Sequence, residues 1–120
     1  MSDTPASTPG PITLEKSGST LIARVAIKLL DDKAMGLLGN MIDESAGDNS
    51  GVNVVVLDMA KVQFLPSLVL GGLVQMSSKC KARKQLLKLA AVQPAVRQLF
   101  AITKLNRVLE MSDTVEAAIG

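Results

Sequence analysis

Residues 54–73 read V-V-V-L-D-M-A-K-V-Q-F-L-P-S-L-V-L-G-G-L, and two different periodicities meet inside them. The run from Val52 to Leu57 is almost continuously β-branched and apolar, the pattern of a central strand covered on both faces. From Ser67 to Arg83 the apolar spacing becomes helical, with Leu70, Leu73, Val74 and Ser77 along one face and Pro66-Ser67 as the opening. A buried strand that passes through a short loop into a helix is the repeating unit of a parallel sheet.

The chain on either side repeats the alternation. Downstream, Leu86 to Val92 forms the next strand candidate and Pro94 starts a third helix through Ala101. Val108 to Leu109 is expected as a short edge strand. Ser112 is expected to cap a last helix carrying Val115, Ala118 and Ile119, with Glu116 as capping-box partner. Upstream, Ile12 to Lys16 and Thr20 to Ile27 are β-branched around Ser17-Gly18-Ser19, which signals a hairpin. Asp31-Asp32 then precedes a helix from Lys33 to Ser45, where Met35, Leu38, Met41 and Ile42 are helically spaced and the two carboxylates suit the helix start. Gly47 to Gly51 is a polar break. The expected fold is α/β: a single domain over residues 12–120, with a central mixed, mostly parallel β-sheet and about four helices.

Residues 1–11, M-S-D-T-P-A-S-T-P-G-P, are expected to be a flexible leader, because three prolines and four Ser/Thr leave nothing to bury. The leader lacks the basic and apolar regions of a secretory signal. The longest apolar-rich stretch, Val62 to Met76, is interrupted by Gln63, Pro66, Ser67 and Gln75 and falls short of the ~20 residues of a membrane span. A cytoplasmic protein without membrane contact is the expectation, and a lone cysteine, Cys80, agrees with a reducing compartment.

Composition removes most chemistry. The 120 residues include no histidine, tryptophan or tyrosine, so imidazole-based acid/base and nucleophile pairs are excluded. Spacings suited to a metal site or a phosphate-cradling loop are also missing. No enzyme activity, cofactor or metal is expected. Five basic residues lie between Lys79 and Lys88, but a net charge of +2, the acidic residues spread over Asp31 to Asp48 and the lack of base-stacking aromatics favour a solvated helix end over a nucleic-acid or acidic-partner patch. A binding or regulatory module is what remains.

Residues 54–73 resemble the STAS domain of bacterial anti-sigma-factor antagonists, in which a buried strand leads through an apolar frame to an acidic residue, a phosphorylatable Ser or Thr, a second hydroxyl residue and Gly-Leu-Gly. Leu57, Val62, Phe64 and Leu65 fit the frame, Ser67 falls on the phosphorylatable position and Leu70-Gly71 matches the closing Leu-Gly. Residues 89–119, L-A-A-V-Q-P-A-V-R-Q-L-F-A-I-T-K-L-N-R-V-L-E-M-S-D-T-V-E-A-A-I, are similar to the family's strand, Pro-x-V-x-x-x-F helix, turn and final helix. Asp31 is similar to the aspartate that closes the family's second strand. Four positions depart: Pro66 stands in place of the acidic residue, Leu68 of the second hydroxyl, Val69 of the first glycine, and Lys28 where the family usually has glycine.

The resemblance implies a protein–protein switch. An unphosphorylated antagonist binds an anti-sigma factor with serine kinase activity, phosphorylation of Ser67 ends the binding, and a serine phosphatase restores it. Asp31, Pro66, Ser67, Leu68, Val69 and Gly71 are the implied partner-binding residues. From position alone, a helix cap is the favoured reading of Ser67, and the resemblance brings the phosphorylation site level with it; one of Leu68 and Val69 is expected in the core. The alternative is a phosphorylation-independent STAS scaffold in a bacterial signalling complex, with Ser67 as cap and Leu68-Val69 in an interface.

Overall fold

A computed structural model of the protein describes residues 12–47 and 50–119; the leader expected over residues 1–11 lies outside them. Strands β1 (Ile12–Ser17) and β2 (Thr20–Val25) form an antiparallel hairpin. Its two-residue loop opens on Gly18, whose φ of +62° is cheap only without a Cβ. Helix α1 (Asp32–Ser45), β3 (Val54–Asp58), α2 (Ser67–Ala82), β4 (Leu86–Ala90) and α3 (Pro94–Ile102) follow. A 3₁₀ turn at Leu105–Arg107 leads to β5 (Glu110–Ser112) and α4 (Val115–Ile119). The sheet order is β1-β2-β3-β4-β5, and every pair after the hairpin is parallel. The expected single α/β domain with a mixed, mostly parallel sheet and four helices is the observed fold.

The three crossover helices pack on one face of the sheet. Met35, Leu38 and Ile42 of α1, Leu70 and Leu73 of α2, and Val96 and Phe100 of α3 join Leu21, Ala23, Val55, Leu57, Leu87 and Leu89 in one buried cluster. The opposite face carries a smaller cluster, where Val115 and Ala118 of α4 cover Ile22, Val56 and Ala90. Val55, Val56 and Leu57 are fully buried from both sides, as the apolar run at residues 52–57 requires. Beyond the reach of α4, that second face is polar: Arg24 donates to Glu15 at 3.0 Å and to Asp58 at 3.0 Å.

Several boundaries differ from those read in the sequence. Val108 and Leu109 are not a strand, because their amides donate back to the Leu105 carbonyl and are spent in the 3₁₀ turn. Leu109 is instead a buried core residue, and β5 starts at Glu110. Ser112 does not cap α4: it belongs to β5 and pairs with Ala90. The cap is Thr114, whose Oγ1 accepts from the Ala117 amide at 3.0 Å. Strand β4 stops at Ala90, since Ala91 adopts φ +56° and breaks the pleat. Strand β2 stops at Val25, where its pairing with β3 has just ended at Arg24 and Asp58.

Candidate functional site

The loops leaving β2 and β3 at their carboxyl ends are joined backbone to backbone. The Gln63 and Phe64 amides donate to the Lys28 carbonyl at 2.8 and 3.0 Å, and the Leu30 amide donates to the Phe64 carbonyl at 3.1 Å. Leu29 and Phe64 form a parallel bridge. Leu30 and Val62 point into the core and anchor the pair of loops, each with no exposed surface. The sequence signal for this junction was faint, because neither loop is regular and their hydrogen bonds cross the fold.

This pairing brings Asp31 and Ser67 to one end of the domain, each at the start of a helix. Asp31 is the N-cap of α1, and its Oδ1 accepts from the Ala34 amide at 2.9 Å. Ser67 is different. It is the first residue of α2, the N-cap position belongs to Pro66, and among the described residues no side chain caps this helix. The reading of Ser67 as a cap is therefore corrected: a residue already inside the first turn cannot place its oxygen where an N-cap does. Its hydroxyl is exposed at an end whose first backbone N–H groups face outward and whose dipole is positive.

The neighbours divide between core and surface. Val69 is buried and Leu68 is 68 % exposed, so one of the pair is core, as expected. Phe64, which fits the apolar frame with Leu57, Val62 and Leu65, is 61 % exposed. The bridge to Leu29 turns its side chain outward while its backbone closes the loop. Leu29, Phe64 and Leu68 thus form an apolar shoulder beside Ser67 and the exposed Pro66. Gly71 is exposed and a Cβ there would meet nothing within 4 Å. The crowded glycine is Gly72, where a Cβ would lie 3.2 Å from Met35 Cγ on α1; a second glycine beside Gly71 was the available clue.

The remaining chemistry-bearing residues are accounted for elsewhere. Cys80 is buried, and burial pushes its thiol above the ordinary cysteine range. In the basic run, Arg83 and Lys79 pair with Asp43 of α1 at 2.5 and 3.7 Å, and Lys88 reaches Glu110 at 3.5 Å. Three of the five cations thus tie elements together. The guanidinium of Arg83, with Lys79 adding its charge, holds the Asp43 carboxyl below the usual carboxylate range. Among the described residues no group of three or more potential metal ligands converges, and no helix is long and apolar enough to cross a membrane.

At the carboxyl edge of the parallel sheet, the loops of this small α/β domain thus present an exposed hydroxyl and exposed apolar side chains. The chain belongs to the STAS domain family, whose model matches residues 11–118. A Mycobacterium tuberculosis protein named as a candidate anti-anti-sigma factor is 24 % identical over 108 residues, which span 90 % of this chain and 72 % of that protein. Among solved structures, a candidate anti-sigma factor antagonist of Thermotoga maritima superposes with a TM-score of 0.76 at 17 % identity, covering 90 % of this chain and 91 % of that one. The Bacillus cell fate determinant SpoIIAA in its phosphorylated form superposes with a TM-score of 0.68 at 20 % identity, covering 90 % and 96 %.

Proposed function

We propose that this protein is an anti-sigma-factor antagonist that docks an anti-sigma factor with serine kinase activity over the Leu29, Phe64 and Leu68 shoulder, and that phosphorylation of Ser67 ends the complex. The observation that carries this is the Ser67 hydroxyl itself, exposed at the start of α2 and making no capping bond. A phosphate there adds about −1.5 to −2 charges at neutral pH, next to backbone N–H groups that accept an anion. The fold tolerates it. A partner packed against the shoulder meets a bulky dianion, and each ~1.4 kcal/mol of repulsion and desolvation weakens binding tenfold. The names of the relatives, anti-sigma factor antagonists among them, support the same choice of partner. Asp31 frames the docking end, Pro66 stiffens the approach to Ser67, and a serine phosphatase returns the protein to its binding form. The protein acts without catalysis of its own, in the cytoplasm.

The exposure of Leu68, where the family pattern has a second hydroxyl, favours a phosphorylation-independent scaffold as the second reading. Calorimetry with the anti-sigma factor recovered by affinity capture from native cells separates the two. Ser67→Ala is expected to bind like wild type and Ser67→Asp to lose binding, with both variants unfolding at the wild-type midpoint. Equal affinity of Ser67→Asp and wild type would overturn the switch and leave the scaffold.

A further inference from the structure

A second surface lies at the opposite end of the sheet, where β4 and β5 begin. A cleft of about 300 Å³ opens there between the second half of α2 and the chain leading into β5. Lys81 and Arg107 line it as cations, and neither pairs with a carboxylate among the described residues. Glu110, the carboxylate on the rim, is already engaged by Lys88. Leu86 and Val108, 38 % and 46 % exposed, add apolar wall. Ser77 is 95 % buried by its 5 % exposure, lines the same cleft and makes no side-chain hydrogen bond to the described residues. A helix start has no share in this site.

We propose that this cleft docks an acidic–apolar peptide segment of a protein partner, carboxylates against Lys81 and Arg107, an aliphatic side chain against Leu86 and Val108, and a polar group of the segment on Ser77. Charge complementarity selects the occupant: two cations that pair with no carboxylate among the described residues flank an apolar wall, and burying that wall excludes water from the ion pairs. A nucleic acid fits less well, because two cations offer few phosphate contacts and no aromatic side chain lines the cleft. Lys81 lies fourteen residue steps along α2 from Ser67, about 21 Å at 1.5 Å per residue. The cleft can therefore be filled while the Ser67 end is engaged, and it does not depend on how Ser67 is read.

The test is a backbone-amide NMR titration of the whole protein with the peptide acetyl-Glu-Leu-Asp-Leu-Glu-amide. Its all-lysine counterpart and a single-stranded DNA 20-mer serve as controls. Shifts centred on Ser77, Lys81, Leu86 and Val108 are expected with the acidic peptide alone. The exposed-site double variant Lys81→Glu/Arg107→Glu is expected to weaken binding at least about tenfold while leaving the rest of the spectrum in place. No shift, shifts centred on Leu29 and Phe64, or preferential binding of the DNA would overturn the proposal. A concentration-dependent dimer lost in the double variant would overturn it too, by making a second copy of the chain the occupant.

Discussion

The Leu30 amide donates to the Phe64 carbonyl at 3.1 Å, and this bond fastens the loop that carries Asp31 to the loop that carries Ser67. Both residues owe their shared position to main-chain bonds that side-chain substitution cannot remove. The Leu30 side chain goes to the core while that of Phe64 goes outward. The same pair of loops is thus an anchor on one side and a contact surface on the other, so stability and binding can be altered separately.

Leu68 and Val69 test that separation. Leu68→Ser removes exposed apolar surface and is expected to change stability by no more than about 0.5 kcal/mol, while reducing capture of the anti-sigma factor. Val69→Ala empties a buried site and is expected to cost about 2 kcal/mol in urea unfolding. Its folded fraction should still bind at wild-type strength.

Asp31 is expected to behave as a structural cap. Asp31→Ala leaves the Ala34 amide without its acceptor, and urea unfolding should register a loss of about 1 kcal/mol. Asp31→Asn keeps an acceptor oxygen and should restore most of it. A loss that Asn does not restore would point to charge, not hydrogen bonding, as the contribution.

The helix glycines should divide by what surrounds them. At Gly36, Gly39 and Gly71 a Cβ meets nothing within 4 Å and φ is ordinary, so alanine at each is expected to stabilise the isolated protein by about 0.5–1 kcal/mol. At Gly72 the added Cβ presses Met35 Cγ at 3.2 Å. That side chain must shift between α1 and α2, and Gly72→Ala should gain less than the others or nothing. Thermal unfolding of the four single variants decides it.

Acid should act through Asp43. Its folded-state carboxyl titrates below the ordinary range, chiefly because Arg83 donates to it. The folded state thus holds that proton less readily than the unfolded chain. The stability from this pair is complete above the unfolded value near about pH 4 and disappears as pH falls through the lower folded value. Asp43→Asn should unfold more easily at neutral pH and show a flatter stability profile below about pH 4 in urea titrations at stepped pH.

The parallel sheet was legible because Val54 to Leu57 are apolar on both alternating sets, Leu86 to Ala90 are apolar but for Lys88, and α1 to α3 carry helical spacing between them. The last strand was not. In residues 105–112 the apolar side chains of Leu105, Val108 and Leu109 serve a 3₁₀ turn, and local amide bonding, invisible in a hydropathy pattern, moved the strand to Glu110. At the site, Asp31 and Ser67 could be singled out from position and resemblance. The exposure of Phe64 could not, because a phenylalanine beside a buried strand reads as core until its backbone partner is known. The pairing of Lys79 and Arg83 with one aspartate 36 to 40 residues away was hidden for the same reason.

Helix α2 follows a proline N-cap that makes no side-chain capping bond, and the exposed serine after it has no side-chain hydrogen bond to the described residues. The helix is held by Val69, Leu70, Leu73 and Cys80 on the sheet, so the exposed Ser67 side chain contributes little that a modification could remove. A chemical mark on the Ser67 oxygen would accordingly be legible only to molecules arriving from outside. The domain would store no memory of it, and writing or erasing the mark could proceed as fast as the visiting enzymes allow.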